Sequence, residues 1–343
     1  MSDFFAQLEA NSQRLFNLLD RFQEPSILVV GDLALDEFVS GEVERLSREA
    51  PVLILRHENT VQIPGGGGNA VYNLAKLGAK VKVAGLIGSD PQGEALKTIF
   101  FEAGIDPSGM IAERDRATVT KTRISGHARQ SVTQQIVRLD RKSHTPPSQD
   151  SLAQICNFVN QSQGGVDAVV CSDYGDGVLN SAVIQASLAH DCTVVDTQRD
   201  LDRYQGATLF TPNLPEAEAA VGYSIRQEKL LHQAGRDLLH LTQARYILIT
   251  RGEAGMSLFS QTGEVHHIPP FNRTNVFDVT GAGDTVVAAL TISLCAGGSP
   301  WEAAVLGNLA ASIVVRQFGT ATTNVAEMKL GLQTLLDDPS LLA

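Results

Sequence analysis

Two carboxylates bracket a run of small residues at 278–285, Asp-Val-Thr-Gly-Ala-Gly-Asp-Thr. Gly281, Ala282 and Gly283 let a ligand approach the backbone closely, and amides opening a helix attract anions. Asp284, at the end of the loop, then stands where it can take a proton from an attacking hydroxyl. Together the two features suit phosphoryl transfer to an alcohol, with the loop stabilising charge on the moving group and the carboxylate activating the nucleophile. The same octapeptide also reads as an ordinary helix start, its acidic residue favoured by the dipole.

Other stretches carry chemistry of the same kind. Asn213-Leu-Pro-Glu216 has the spacing of a capping box, and equally of a water-mediated Mg²⁺ site, since magnesium needs only one or two protein groups beside nucleotide phosphates. Pro64-Gly-Gly-Gly-Gly-Asn69 reads either as a flexible turn or as a backbone that a ligand approaches, with Asn69 bonding a hydroxyl. Asp36 follows the first strand, where open α/β sheets bind ligands, and suits polyol hydroxyls. Lys121, Arg123 and Arg138, with Arg45, Arg48 and Arg56, are either solvated strand charges or, pointing inward, a clamp for a substrate phosphate. His266-His267 is given no role. There is no GxxxxGK[ST] P-loop and no GxGxxG fingerprint.

The elements that must position these residues follow from hydrophobic pattern. Short apolar runs at Ile27–Val30, Val81–Leu86, Ala168–Cys171, Thr193–Val195 and Tyr246–Ile249 predict strands. Segments of helical period at 70–77, 94–103, 152–159, 178–189 and 217–221 lie between or after them, which indicates an α/β fold with a mostly parallel sheet covered on both faces. Residues 38–63 and 116–139 break the alternation and predict a small β-sheet lid, with 143–150 as the loop returning from it. Residues 1–25 predict an amphipathic helix that packs on the body or on a partner subunit; residues 26–343 form the main domain.

With 343 residues, 43% of them hydrophobic, the chain has ample core. A net charge of −11 argues against nucleic acid and anionic membrane as partners, so an anionic ligand must meet a local basic cluster. The four cysteines show no metal-ligand spacing, and Cys171 and Cys192 read as buried thiols in a reducing cytoplasm. There is neither a signal-peptide pattern nor an apolar run long enough to span a membrane.

Taken together, Gly31-Asp32…Asp36, Pro64–Asn69, Asn213-x-x-Glu216, Thr250-Arg-Gly-Glu-x-Gly255, Asp278–Asp284 and Asn308 resemble, in order, the ribokinase-like (PfkB) carbohydrate kinases, over about residues 26–330. Local echoes are similar to the heptose 7-phosphate kinases of lipopolysaccharide-precursor synthesis: Arg45–Val52, Thr120–Arg123, Ile136–Asp140, Ser172–Tyr174 and Thr211–Leu214. The resemblance implies an ATP-dependent sugar kinase with a ribokinase-like fold. Asp284 would be its general base, and the backbone at 281–283 its anion hole. Asp36, Gly66, Gly67 and Asn69, with Lys121, Arg123 and Arg138, would bind a sugar or sugar phosphate. Asn213, Thr250, Arg251, Gly252, Gly255 and Asn308 would border ATP, and Asn213 with Glu216 would place Mg²⁺. Asp278, Thr280, Gly319 and Thr323 stand where family members bind a monovalent cation such as K⁺. Heptose 7-phosphate is the expected acceptor; the alternatives are an unphosphorylated sugar or sugar acid, or a non-catalytic pseudo-kinase. Two lysines typical of heptose kinases are replaced, by Asp176 and Gln198, with Arg199 and Arg203 nearby. No HxGH motif of a cytidylyltransferase is present, so a kinase alone is expected, as a homodimer.

Overall fold

The computed structural model describes residues 2–128, 133–271, 276, 278–317 and 319–338. Residues 129–132 of the expected 116–139 insertion therefore lie outside the described residues, as do residue 1 and residues 272–275, 277, 318 and 339–343 of the two expected units. The strands in chain order are β1 (Ser26–Gly31), β2 (Leu33–Leu46), β3 (Leu53–Gly66), β4 (Lys80–Gly88), β5 (Asp106–Glu113), β6 (Val119–His127), β7 (Gln134–Arg141), β8 (Ala168–Asp173), β9 (Thr193–Thr197), β10 (Leu209–Phe210), β11 (Tyr246–Thr250), β12 (Met256–Ser260) and β13 (Val265–Ile268).

Nine of them form one sheet in the order β13-β12-β11-β10-β9-β8-β1-β4-β5, parallel from β5 through β11, with β12 and β13 antiparallel at the edge. The central strands read as unbroken apolar runs because both of their faces are covered. In β1, Ile27 and Val29 face one core while Leu28 and Val30 face the other. The first core is closed by helices Gly67–Lys76, Ala282–Cys295, Pro300–Val314 and Val325–Asp337, the second by Gln149–Ser162, Ser181–Leu188 and Glu228–Thr242.

The chain leaves this sheet twice to build a four-stranded lid, β3-β2-β6-β7. Parallel pairing of β2 with β6 sets Asp36 opposite Lys121 and Phe38 opposite Arg123. Residues opposite one another share a face, so these four project together.

Details depart from the sequence reading at three places. The amphipathic N-terminus is two helices, Ser2–Ala10 and Ser12–Asp20, not one. They lie on the body: Leu8, Leu15, Leu18, Leu19 and Phe22 are buried in the first core, and Arg14 pairs with the buried Glu302 at 2.5 Å. The helix expected from 178 starts at Ser181, because the Asn180 side chain accepts from Val183 N–H and caps it there. Cys192 is half-buried rather than buried, whereas Cys171 is fully enclosed.

Candidate active site

The site gathers where open α/β sheets bind ligands, outside the carboxyl ends of the strands where their order reverses about β1. Asp32 and Asp36 follow β1, Tyr174 follows β8, Asp196 lies near the end of β9, Asn213 follows β10, and Thr250 ends β11. Helix Ala282–Cys295 points its first turn at the same crevice, with Asp284 in that turn.

Asp284 is 6% exposed. Asn69 Nδ2 donates to its Oδ2 at 2.8 Å, and the Tyr174 hydroxyl donates to its Oδ1 at 3.1 Å. Asn69 is fixed in turn by Asn73 Nδ2, which donates to Asn69 Oδ1 at 3.0 Å, while Thr285 donates to Asn73 Oδ1 at 2.9 Å. Burial pushes the Asp284 carboxyl up to about 6, against the hydrogen bonds from Asn69 and Tyr174 and the charge of Lys121. In the sequence Tyr174 is marked only by its family resemblance. Its role appears when β8 carries it to the carboxylate.

Gly281 caps the helix at φ 77°, and a Cβ there would lie 2.5 Å from Asn69 Nδ2, so only glycine lets Asn69 reach Asp284. The first-turn amides of a helix lack intrahelical acceptors. The Ala282 N–H is turned back to Val279 O at 3.2 Å, which leaves the Gly283 and Asp284 amides as the better aimed donors of the expected anion hole.

The glycine run at 65–68 is packed against protein. A Cβ at Gly66, which sits at φ 55°, would lie 2.9 Å from Asp32 O, and one at Gly67 would lie 3.1 Å from it. The run brings Asn69 under the crevice. Asp36 itself is ion-paired with Arg123 at 2.8 Å, and Arg123 also lies 5.1 Å from the Phe38 ring. Lys121 faces inward, its Nζ 5.8 Å from the Tyr174 ring. Arg138 is instead exposed and held by both oxygens of Asp140, each at 2.7 Å.

A cavity of about 170 Å³ lies beside Asp284, lined by Asp173, Asp196, Glu216, Asn213, Thr211 and Gly281 among others. Asn213 and Glu216 form the full capping box, Asn213 N–H donating to Glu216 Oε2 and Glu216 N–H to Asn213 Oδ1, both at 2.9 Å. Burial, with the charges of Asp284 and Glu216, pushes Asp196 well above the usual carboxylate range, and burial raises Glu216 as well. A set of carboxylates that repel one another, Asp173 and Asp284 buried and Asp196 and Glu216 half-buried, fits a hard divalent cation such as Mg²⁺. Asp196 lies two residues before Gln198, and its spacing in the sequence carries no signal of a site.

A larger cavity, about 470 Å³, adjoins the first at Thr250 and Gly283 and is lined by Gly252, Gly255, Phe271, Val279, Ala282 and Asn308 among others. Its apolar walls suit a nucleotide base. Asn308 spends its amide on Pro269 O at 2.7 Å. Arg251 lines a different cavity.

Asp278 accepts from Thr280 N–H at 2.9 Å and Gly319 N–H at 3.1 Å. Burial raises its carboxyl, but hydrogen bonds from Thr280 and Gly319 outweigh that and hold it below the usual range. The carboxylate is thus charged and fits a monovalent cation, whereas the Thr323 hydroxyl is turned to Glu327 at 2.8 Å. Of the replaced lysines, Asp176 is ion-paired with Lys142, so a cation arrives from the loop after β7, and Gln198 lines the carboxylate cavity. Arg203 is engaged by Asp173 at 3.2 Å, and Arg199 packs over Gly175.

A family model described as pfkB family carbohydrate kinase matches residues 24–327. The bifunctional protein HldE of Desulfatibacillum aliphaticivorans is 41% identical over 319 residues, 91% of this chain and 64% of that protein. The HldE protein of Geobacter metallireducens is 42% identical over 318 residues, with the same shares covered. The chain thus spans less than two thirds of the length of the curated relatives it matches. Among solved structures, phosphofructokinase-2 from Escherichia coli in complex with fructose-6-phosphate matches with a TM-score of 0.73 at 19% identity, over 91% of this chain and 99% of that one. Arabidopsis thaliana ribokinase complexed with ribose and ATP matches at 0.68 and 20%, over 92% and 99%. At that identity these two show the fold.

Proposed function

The chain belongs to the pfkB family of carbohydrate kinases, and from that premise we propose that it transfers the γ-phosphoryl group of ATP to a hydroxyl of D-glycero-D-manno-heptose 7-phosphate. The single observation that carries the chemistry is Asp284, a buried carboxylate oriented by Asn69 and Tyr174 at the junction of two cavities and the lid. The identity to HldE proteins, 41% across 91% of this chain, supports the heptose acceptor.

In this reading the acceptor hydroxyl lies against Asp284, which takes its proton as the oxygen attacks. The Asn69 and Tyr174 bonds fix the direction in which the receiving oxygen faces. The amides of Gly283 and Asp284 stabilise charge on the phosphoryl group in flight, aided by the helix dipole. Asp36, its charge balanced by Arg123, accepts hydrogen bonds from sugar hydroxyls, and Lys121 attracts the phosphate already on the sugar. Asp196, Asn213 and Glu216 would hold Mg²⁺ through water, and Asp278 with Thr280 and Gly319 a K⁺ ion. When bound, Mg²⁺ would neutralise the triphosphate and draw charge from the leaving group.

Leu46, Leu53, Val137 and Leu139 are exposed on the lid, and β3 and β7 are its free edges, a combination that a second copy of the chain would cover. The substrates are phosphorylated metabolites and the four cysteines are free, which suits the cytoplasm; among the described residues no helix is long and apolar enough to cross a membrane.

The test is a panel of acceptors offered with ATP to the wild type and to Lys121→Ala. Heptose 7-phosphate should be phosphorylated in preference to the unphosphorylated heptose, ribose, fructose and ketodeoxygluconate. Lys121→Ala should raise the KM for heptose 7-phosphate by roughly tenfold or more, the worth of a charged hydrogen bond, and leave that for ATP little changed. Equal use of unphosphorylated sugars would overturn the acceptor.

A further inference from the structure

At the edge of the main sheet farthest from β5, helix Glu228–Thr242 packs on β11 and β12 and, with the edge strand β13, brings together three side chains that the kinase chemistry leaves unused: Glu228, His232 and His267. We propose that these three residues form a binding site for a transition-metal dication, zinc in the first place.

Glu228 and His232 are four residues apart on one helix, so they share a face. His267, on β13, projects toward that face. The two Nε2 atoms stand 3.3 Å apart, and Glu228 Oε1 is 3.9 Å from each of them. A tetrahedral zinc ion with bonds of about 2.0–2.1 Å sets neighbouring ligand atoms about 3.3 Å apart, which is the separation of the two nitrogens. The carboxylate, at the end of a side chain 78% exposed, is free to swing the remaining distance.

The second contact of His267 supports the assignment. Its Nδ1 lies 2.8 Å from the Oγ of Ser257, itself fully buried on the paired strand β12. A bond of this kind fixes the ring and leaves Nε2 as the coordinating atom, the usual outer shell of a metal-bound histidine. The donor set of two imidazoles and one carboxylate selects zinc or a similar metal over Mg²⁺ or Ca²⁺, which prefer oxygen alone. It is thereby distinct from the all-oxygen cavity beside Asp284.

Three protein ligands leave a fourth position, and a cavity of about 450 Å³ lined by Glu228, His267, Arg226 and Arg251 opens beside it. The two guanidinium groups oppose a dication, so Glu228 is needed to balance the charge. The competing account is a plain hydrogen bond between two imidazoles.

The test uses the full chain, stripped of metal and titrated with Zn²⁺ by calorimetry in excess Mg²⁺ to occupy oxygen sites, with Co²⁺ absorption as a second readout. The wild type should take one equivalent of Zn²⁺ and give the intense visible bands of tetrahedral Co²⁺. His232→Ala and His267→Ala should each weaken binding at least a hundredfold, and Glu228→Gln at least tenfold. Ser257→Ala should cost roughly 10–100-fold, the usual worth of an outer-shell partner. His266→Ala, one residue away on the opposite face of β13, should bind as the wild type does. The proposal is overturned if the wild type takes no zinc, if the two histidine variants retain it, or if His266→Ala loses it equally. Glu228→Gln alters only an exposed side chain, so its result stands even if a histidine variant folds poorly.

Discussion

Burial pushes Asp284 up to about 6 while hydrogen bonds from Asn69 and Tyr174 pull against it, so the charge of the proposed base changes close to working pH. A base must be deprotonated, so kcat/KM should rise with pH through about 6 and level off above it. Removing a donor to the carboxylate favours its protonated form. Tyr174→Phe should therefore move this acid limb upward by about one pH unit, the worth of a hydrogen bond to a charged group. A limb that stays in place would mean that Tyr174 does not act on Asp284. The types and spacing of Gly281, Gly283 and Asp284 announce an anion loop followed by a base. Nothing in the spacing of Asp32, Tyr174 and Asp196 says that the ends of three strands bring them to the same crevice.

The loop after β8 holds its shape through Asp32, whose carboxylate accepts from the backbone N–H groups of Tyr174 and Asp176, each at 2.9 Å, and of Val178 at 3.2 Å. The residue that follows β1 thus fixes the segment that aims Tyr174 at the base. Asp32→Ala should take the acceptor from three N–H groups, at a cost of about 1–3 kcal/mol, and should lower turnover as well. Denaturant unfolding and initial rates read the two effects. A variant as stable as the wild type would contradict the bracing role. Regular elements were legible in advance because their apolar periods are strong: the unbroken runs of β1, β8 and β9 mark strands covered on both faces, and the broken alternation at 116–139 marks the lid. The order of strands was not, because long-range pairing leaves no local trace. Nor was it legible that the glycines before Asn69 pack against Asp32, since a turn has the same composition.

Taken whole, the molecule is acidic, at −11, and yet its proposed substrates are anions. In the proposed reading the lid resolves the conflict by carrying Lys121 and Arg123 on the face it turns to the crevice, while the carboxylates opposite call for cations. The outer parts of the lid expose apolar side chains that a second copy would cover. Leu139, 58% exposed on edge strand β7, is the position to probe: Leu139→Glu should convert a dimer to a monomer in sedimentation equilibrium, and a wild type that is itself monomeric would refute the pairing. The central claim is that Asp284 is the base of a kinase acting on heptose 7-phosphate, and turnover of that acceptor by Asp284→Asn, set against the wild type, tests it most directly. Asparagine keeps the size of the side chain and removes its proton affinity, so kcat should fall by roughly 10²–10⁴-fold with the fold retained. Phosphorylation of heptose 7-phosphate by Asp284→Asn at near wild-type rate, or by neither protein, would contradict the account.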